Sequence, residues 1–244
     1  MTLATISSSP RRLATIGLVA WLVAACAVPT NAPTDSPTPE PTIPPTAPAY
    51  TLGPTPSACP TSAPAAMAAG TTATVTMTTN YGTIVIKVEA NLGPNAAGAF
   101  IALARCGYYN NVVFHRVVPN FVIQAGDGEY ARLPNLDPDK YGQGGPGWTI
   151  PDDKVTTSYK QGTVAMANTG AANSGSSQFF IVLTDSAFDG VAATYSIFGN
   201  VTSGMDVVDK IAQIPLGGEP ASATDQPDIP LLPAVITSTI VTTP

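Results

Sequence analysis

Phe114-His115-Arg116-Val117-Val118-Pro119-Asn120-Phe121-Val122-Ile123-Gln124 decides the reading of this chain. It sets one arginine and one glutamine among bulky apolar residues. Such a surface can hold an apolar group and still offer hydrogen bonds beside it. The stretch reads as two short strands, Val112–Val117 and Phe121–Gln124. Upstream, Thr72–Thr79 and Gly82–Glu89 alternate small or apolar with polar residues around Asn80-Tyr81-Gly82, a β-hairpin pattern. Between hairpin and strands, Asn95–Cys106 has helical periodicity: Ala96, Ala99, Phe100, Leu103 and Ala104 share a face, Pro94 stands at the start and Gly107 at the C-terminal cap. Downstream come a Gly, Pro and Asp-rich loop at 126–147, strands at 162–167, 179–183, 197–201 and 235–241, and a second helix at 205–213. Many short strands with two helices predict a barrel or a sandwich.

A second block follows at some distance: Met166-Ala167-Asn168-Thr169-Gly170, then Gly175-Ser176-Ser177-Gln178-Phe179-Phe180-Ile181. The two blocks, in this order and separation, resemble the signatures of the cyclophilins, which are peptidyl-prolyl cis-trans isomerases. The resemblance covers roughly Val75 to Val241 and implies a mainly β fold, a closed eight-stranded antiparallel β-barrel with an α-helix capping each open end. Both helices read from the sequence stand where the family has them.

Rotating a peptide bond breaks no covalent bond, so it needs no nucleophile, metal or proton relay. The barrier of about 18–20 kcal/mol is lost amide resonance. In the twisted state the imide nitrogen regains a lone pair, and a hydrogen bond from an arginine becomes available there and not in the planar ground state. The resemblance assigns that donor to Arg116. It implies a proline pocket of Phe121, Val122, Phe180 and Phe188. Gln124 and Asn168 fall where the family binds substrate backbone, with Ala167 and Thr169 beside them, and Gln178 matches a position lining the same groove. From the residues alone, Arg116 is equally a surface arginine, the apolar residues plain core and Asn168 a turn residue. No cofactor is implied.

His115 is the single histidine of the chain, which excludes a His-rich metal site and any mechanism using two histidines. Strand alternation turns it away from Arg116, into the barrel interior, and the matching family histidine is structural. Asp152 and Asp153 read as a solvated turn rather than as paired catalytic carboxylates. Two departures from the family stand out. Ala187-Phe188 precede Asp189-Gly190 where relatives often carry tryptophan then leucine. A few residues are inserted at 191–194, which puts Tyr195 where many relatives have histidine; a tyrosine can close a pocket and donate a hydrogen bond.

The first third of the chain holds little core material. In residues 1–25, Arg11 and Arg12 precede an apolar run too short to span a bilayer comfortably, the pattern of an export signal. Its ending, Leu22-Val23-Ala24-Ala25-Cys26, resembles a bacterial lipobox and makes Cys26 the expected lipid attachment site; an ordinary signal peptide or an uncleaved anchor is the alternative. Residues 26–69 are rich in Pro, Thr and Ser and read as a disordered stalk, with the folded domain at 70–244. With Cys26 lipidated, Cys59 and Cys106 remain as an even pair, a candidate disulfide in an exported protein; two unpaired thiols are the alternative. A net charge of −6, a pI near 4.5 and singly scattered lysines and arginines argue against nucleic acid as partner, since phosphate binding needs clustered basic residues. The expectation is therefore a monomeric, exported, lipid-anchored isomerase in the cell envelope, outside the cytoplasmic membrane or in the periplasm. Its partners would be flexible X-Pro segments of exported polypeptides, and its role assistance to folding. The rival is a non-catalytic module that binds or holds proline segments on the same fold.

Overall fold

The computed structural model describes residues 46–217 and 229–244; the expected leader 1–25, Cys26 and the first part of the expected stalk lie outside them. β1 (Thr72–Thr79) and β2 (Gly82–Glu89) form the expected hairpin, with Thr79 paired to Gly82. Alternation buries Ala73, Val75 and Met77 of β1 and Ile84, Ile86 and Val88 of β2 on one face. Gly82 has φ 132°, a conformation that side-chain-bearing residues rarely adopt.

Helix α1 (Pro94–Arg105) buries Phe100, Leu103 and its alanine face in the barrel core. At its end Gly107, with φ 74°, donates to the Ala104 carbonyl at 3.2 Å, and the Tyr108 N–H reaches the Leu103 carbonyl at 2.9 Å. These two bonds stop the helix with a Schellman motif. Its start has no side-chain cap of its own, because the N-cap is Gly93. Asp153 supplies one from afar: the Asn95 N–H donates to Oδ1 at 3.1 Å and the Ala96 N–H to Oδ2 at 2.9 Å. The expected solvated turn is corrected here. Asp153 is buried because its carboxylate satisfies the orphan donors of a helix N-terminus.

The remaining strands are β3 (Arg116–Val118), β4 (Val122–Ala125), the small hairpin β5 (Ala131–Arg132) and β6 (Asn135–Leu136), β7 (Thr163–Met166), β8 (Phe179–Val182), β9 (Ile197–Ser203) and β10 (Ile236–Thr242); α2 is Met205–Ala212. β5 and β6 give the 126–147 loop structure that its composition concealed. The other eight strands make one antiparallel sheet in the order β10-β1-β2-β9-β7-β8-β4-β3. The ladder does not close, which corrects the expectation of a fully closed barrel. The seam between its ends is bridged instead by irregular backbone, where Asn111 N–H meets Ile236 O at 2.7 Å, Ile236 N–H meets Val112 O at 2.8 Å and Phe114 N–H meets Ala234 O at 2.9 Å. For the same reason residues 112–115 are not part of the expected strand, which begins only at Arg116.

Residues 46–69 also differ from the expectation of a free stalk: they lie along the barrel. Prolines cannot donate, so the barrel supplies the donors. Asn80, Asn110 and Trp148 side chains donate to the carbonyls of Pro48, Pro54 and Pro60 at 3.2, 3.0 and 3.0 Å. The Asn111 side-chain amide pairs with both backbone groups of Gly53, at 2.7 and 3.0 Å, and Met67 N–H reaches Pro94 O at 2.9 Å. Cys59 and Cys106 are joined in a disulfide, with Cα atoms 5.1 Å apart. A Pro-rich composition prevents a segment from building its own core; it does not prevent extended backbone from docking on another.

Candidate active site

Pairing of β3, β4, β8 and β7 places Arg116 opposite Gln124, Gln124 opposite Phe180 and Phe180 opposite Ala165. These positions share the outer face of the sheet, while the alternate residues Val117, Ile123, Ile181 and Val164 enter the core. The outer row forms the floor of a groove of about 890 Å³, lined by Arg116, Phe121, Val122, Gln124, Ala167, Asn168, Thr169, Gln178, Phe180, Phe188 and Tyr195. Every substrate-binding residue expected from sequence is therefore brought to one place with Arg116.

One end of the groove is an aromatic box. Phe188 lies 4.7 Å from Phe121 and 5.6 Å from Phe180 between ring centroids, and Tyr195 meets the Phe180 ring edge-on at 5.2 Å. Tyr159, which sequence reasoning missed, stacks on Phe188 at 4.3 Å. Its hydroxyl donates to the Tyr195 carbonyl at 2.8 Å and accepts from the Tyr195 N–H at 2.9 Å, so it fixes the residue that closes the box. No local pattern marks Tyr159, which lies outside both motif blocks.

A polar rail runs from the box. Arg116 Nη1 donates to Gln124 Oε1 at 3.3 Å, Gln124 Nε2 to Gln178 Oε1 at 2.9 Å, and Gln178 Nε2 to the carbonyls of Gly142 and Gly144 at 2.8 and 2.9 Å. Each amide is oriented by the next, which fixes the Arg116 guanidinium and the Gln124 amide relative to the groove. Asn168 serves the wall as well as the groove, since its Nδ2 donates to Thr194 O at 3.1 Å and its Oδ1 accepts from Gly170 N–H at 3.1 Å.

The far end is built by 142–149 and by Ser174 and Ser176, which the sequence reading left out. Asp127 organises this loop: its buried carboxylate accepts N–H bonds from Glu129, Tyr130, Gly142 and Gly144. A Cβ at Gly144 would collide with that carboxylate, so the Gly142-Gln143-Gly144-Gly145 run was the available signal.

The sequence model for cyclophilin type peptidyl-prolyl cis-trans isomerases matches residues 74–240, most of the chain. The chain belongs to the cyclophilin family. A relative in Acinetobacter baylyi, named peptidyl-prolyl cis-trans isomerase, is 38% identical over 153 residues, covering 57% of this chain and 71% of the relative. Another in Brucella abortus, named a probable peptidyl-prolyl cis-trans isomerase, is 36% identical over 132 residues, 53% of this chain; the match spans 66% of its length. Among solved structures, a Cryptosporidium parvum cyclophilin superposes with TM-score 0.58 at 26% identity over 71% of this chain and 99% of its own. The same protein in the presence of the dipeptide Ala-Pro gives 0.57.

In this cyclophilin, His115 is fully buried as expected but not in the barrel interior. Its ring lies beside Tyr141, at 5.8 Å, under the 126–147 loop, because regular alternation starts only at Arg116. Burial lowers its pKa to about 4; Asp127 opposes this, Arg116 adds to it, and the Val113 backbone and Gln178 oppose it without making a good hydrogen bond to either ring nitrogen. A neutral imidazole there is a packing element, not a proton donor.

Proposed function

We propose that this chain catalyses cis-trans isomerisation of X-Pro bonds in flexible segments of exported polypeptides, anchored through lipid on Cys26 outside the cytoplasmic membrane. The juxtaposition of aromatic box and arginine-headed rail carries the catalytic part of this reading. In this reading the box takes the proline ring, the rail takes the neighbouring peptide group, and the Arg116 guanidinium donates to the lone pair of the twisted imide nitrogen. That hydrogen bond exists only in the transition state, so it raises kcat rather than merely tightening binding. The related structure determined in the presence of Ala-Pro supports a proline-bearing ligand. The export reading rests on the leader and the lipobox ending, and the acidic charge is consistent with polypeptide rather than nucleic-acid partners.

The test is exchange spectroscopy on a short X-Pro peptide with the full-length protein. Uncatalysed exchange takes tens to hundreds of seconds, so substoichiometric protein should bring it onto the timescale of seconds or faster. Peptide binding without faster exchange would replace the enzyme reading by the holding-module one. Intact mass of the mature protein tests the anchor: absence of acyl mass on Cys26 would remove it.

A further inference from the structure

The described part of the N-terminal segment meets the groove at Trp148, which lines it beside the glycine-rich stretch 142–147. An indole has a single polar hydrogen. In Trp148 it is used by the Pro60 carbonyl, at 3.0 Å, which belongs to the segment and not to the barrel. Pro60 is held in turn. It follows Cys59, whose disulfide fixes it to Cys106, the C-cap of α1, and Ser57 N–H donates to the Cys106 carbonyl at 3.1 Å on the other side of the bridge. Cys59, Cys106 and Trp148 are half-buried against the same core cluster. Gly147, with φ 85°, precedes Trp148 in a conformation that favours glycine, and the indole edge beyond it is held by the Pro60 carbonyl.

A proline seated in the aromatic box with its peptide group along the rail would send the adjoining substrate residues over this end of the groove. We propose that Trp148 is a specificity-determining residue that packs on a substrate side chain flanking the proline, and that the Cys59–Cys106 bridge, through Pro60, is its positioning device. This rests on the isomerase reading given above. It predicts a division of labour: box and rail select proline, while the wall held by the segment grades its neighbours by size and apolarity.

The experiment compares the full-length protein in three forms: oxidised, reduced by dithiothreitol, and carrying Cys59→Ser with Cys106→Ser. Dithiothreitol gives up two electrons and two protons, closing to its own cyclic disulfide and leaving two protein thiols. Each form is assayed on X-Pro peptides whose residues on either side of proline are alanine or a bulky apolar residue. Opening the bridge should lower kcat/KM for the bulky series about twofold to tenfold more than for the alanine series, the worth of one aromatic packing contact. Trp148→Phe, which keeps a ring but loses the N–H, should resemble the reduced protein and gain nothing further from reduction, the non-additivity expected of coupled groups. The emission difference between wild type and Trp148→Phe should shift to the red on reduction. Unchanged discrimination and unchanged emission in a fully reduced, active protein would overturn the proposal, as would an equal fall across all peptides. Failure of the oxidised wild type to accelerate any peptide is a separate outcome: it would overturn the isomerase reading, and the specificity claim with it.

Discussion

His115 and Arg116 are adjacent in sequence and opposite in role. Burial holds His115 neutral, with a pKa of about 4 against an ordinary 6.5. Between these values the unfolded chain binds a proton that the folded one does not, so folding stability is full above about pH 6.5 and falls as the pH drops toward 4, by up to about 1.4 kcal/mol per pH unit for one such group. Denaturant titrations at several pH values should show this slope, reduced in His115→Gln. Turnover, by contrast, should stay nearly flat across the range where an ordinary histidine titrates, because no proton moves in the reaction. A bell-shaped rate profile abolished by His115→Gln would contradict the mechanism. Gln178→Ala should lower kcat/KM by about two- to tenfold, the net worth of a hydrogen bond lost from the rail. Residues within the two motif blocks were legible from sequence, since motif spacing reports which side chains share a strand face. Tyr159 and Trp148 were not, because their roles come from tertiary contacts that no local pattern encodes.

At the scale of elements, α1 shows how far periodicity reaches. Its apolar face, Pro94 start and Gly107 stop are all local signals, and its span follows from them. Its cap is not local: Asp153 comes from 58 residues downstream of Asn95. Asp153→Ala should therefore destabilise the protein by about 1–2 kcal/mol, as loss of an N-cap does. An unchanged denaturation midpoint would show that water replaces the carboxylate without cost. The 126–147 loop illustrates the same limit. Glycine and proline announce irregular backbone, but not that Asp127 would gather four of its N–H groups and so shape the far end of the groove. The start of β3 at Arg116 rather than Val112 follows from the seam, where irregular backbone at 111–114 meets Ala234 and the first residue of β10, Ile236.

At the scale of the whole molecule, residues 46–69 of the expected stalk are docked on the barrel and count as part of the domain. Its bridge closes a separation of 47 residues, and on the chain-entropy estimate removing it by Cys59→Ser with Cys106→Ser should cost about 2–4 kcal/mol of stability. Unaltered stability of the double variant would mean that the docked backbone holds without the covalent link. Composition pointed to an unpacked stalk because it records what a segment can bury by itself, not which donors a neighbouring surface offers it. The central claim concerns the groove, and Arg116→Ala tests it most directly by exchange spectroscopy on one X-Pro peptide beside the unmodified protein. The account predicts rapid exchange with the wild type and a loss of at least about tenfold in the folded variant, equivalent to roughly 1.4 kcal/mol of transition-state stabilisation. Equal acceleration by a folded Arg116→Ala protein would contradict it.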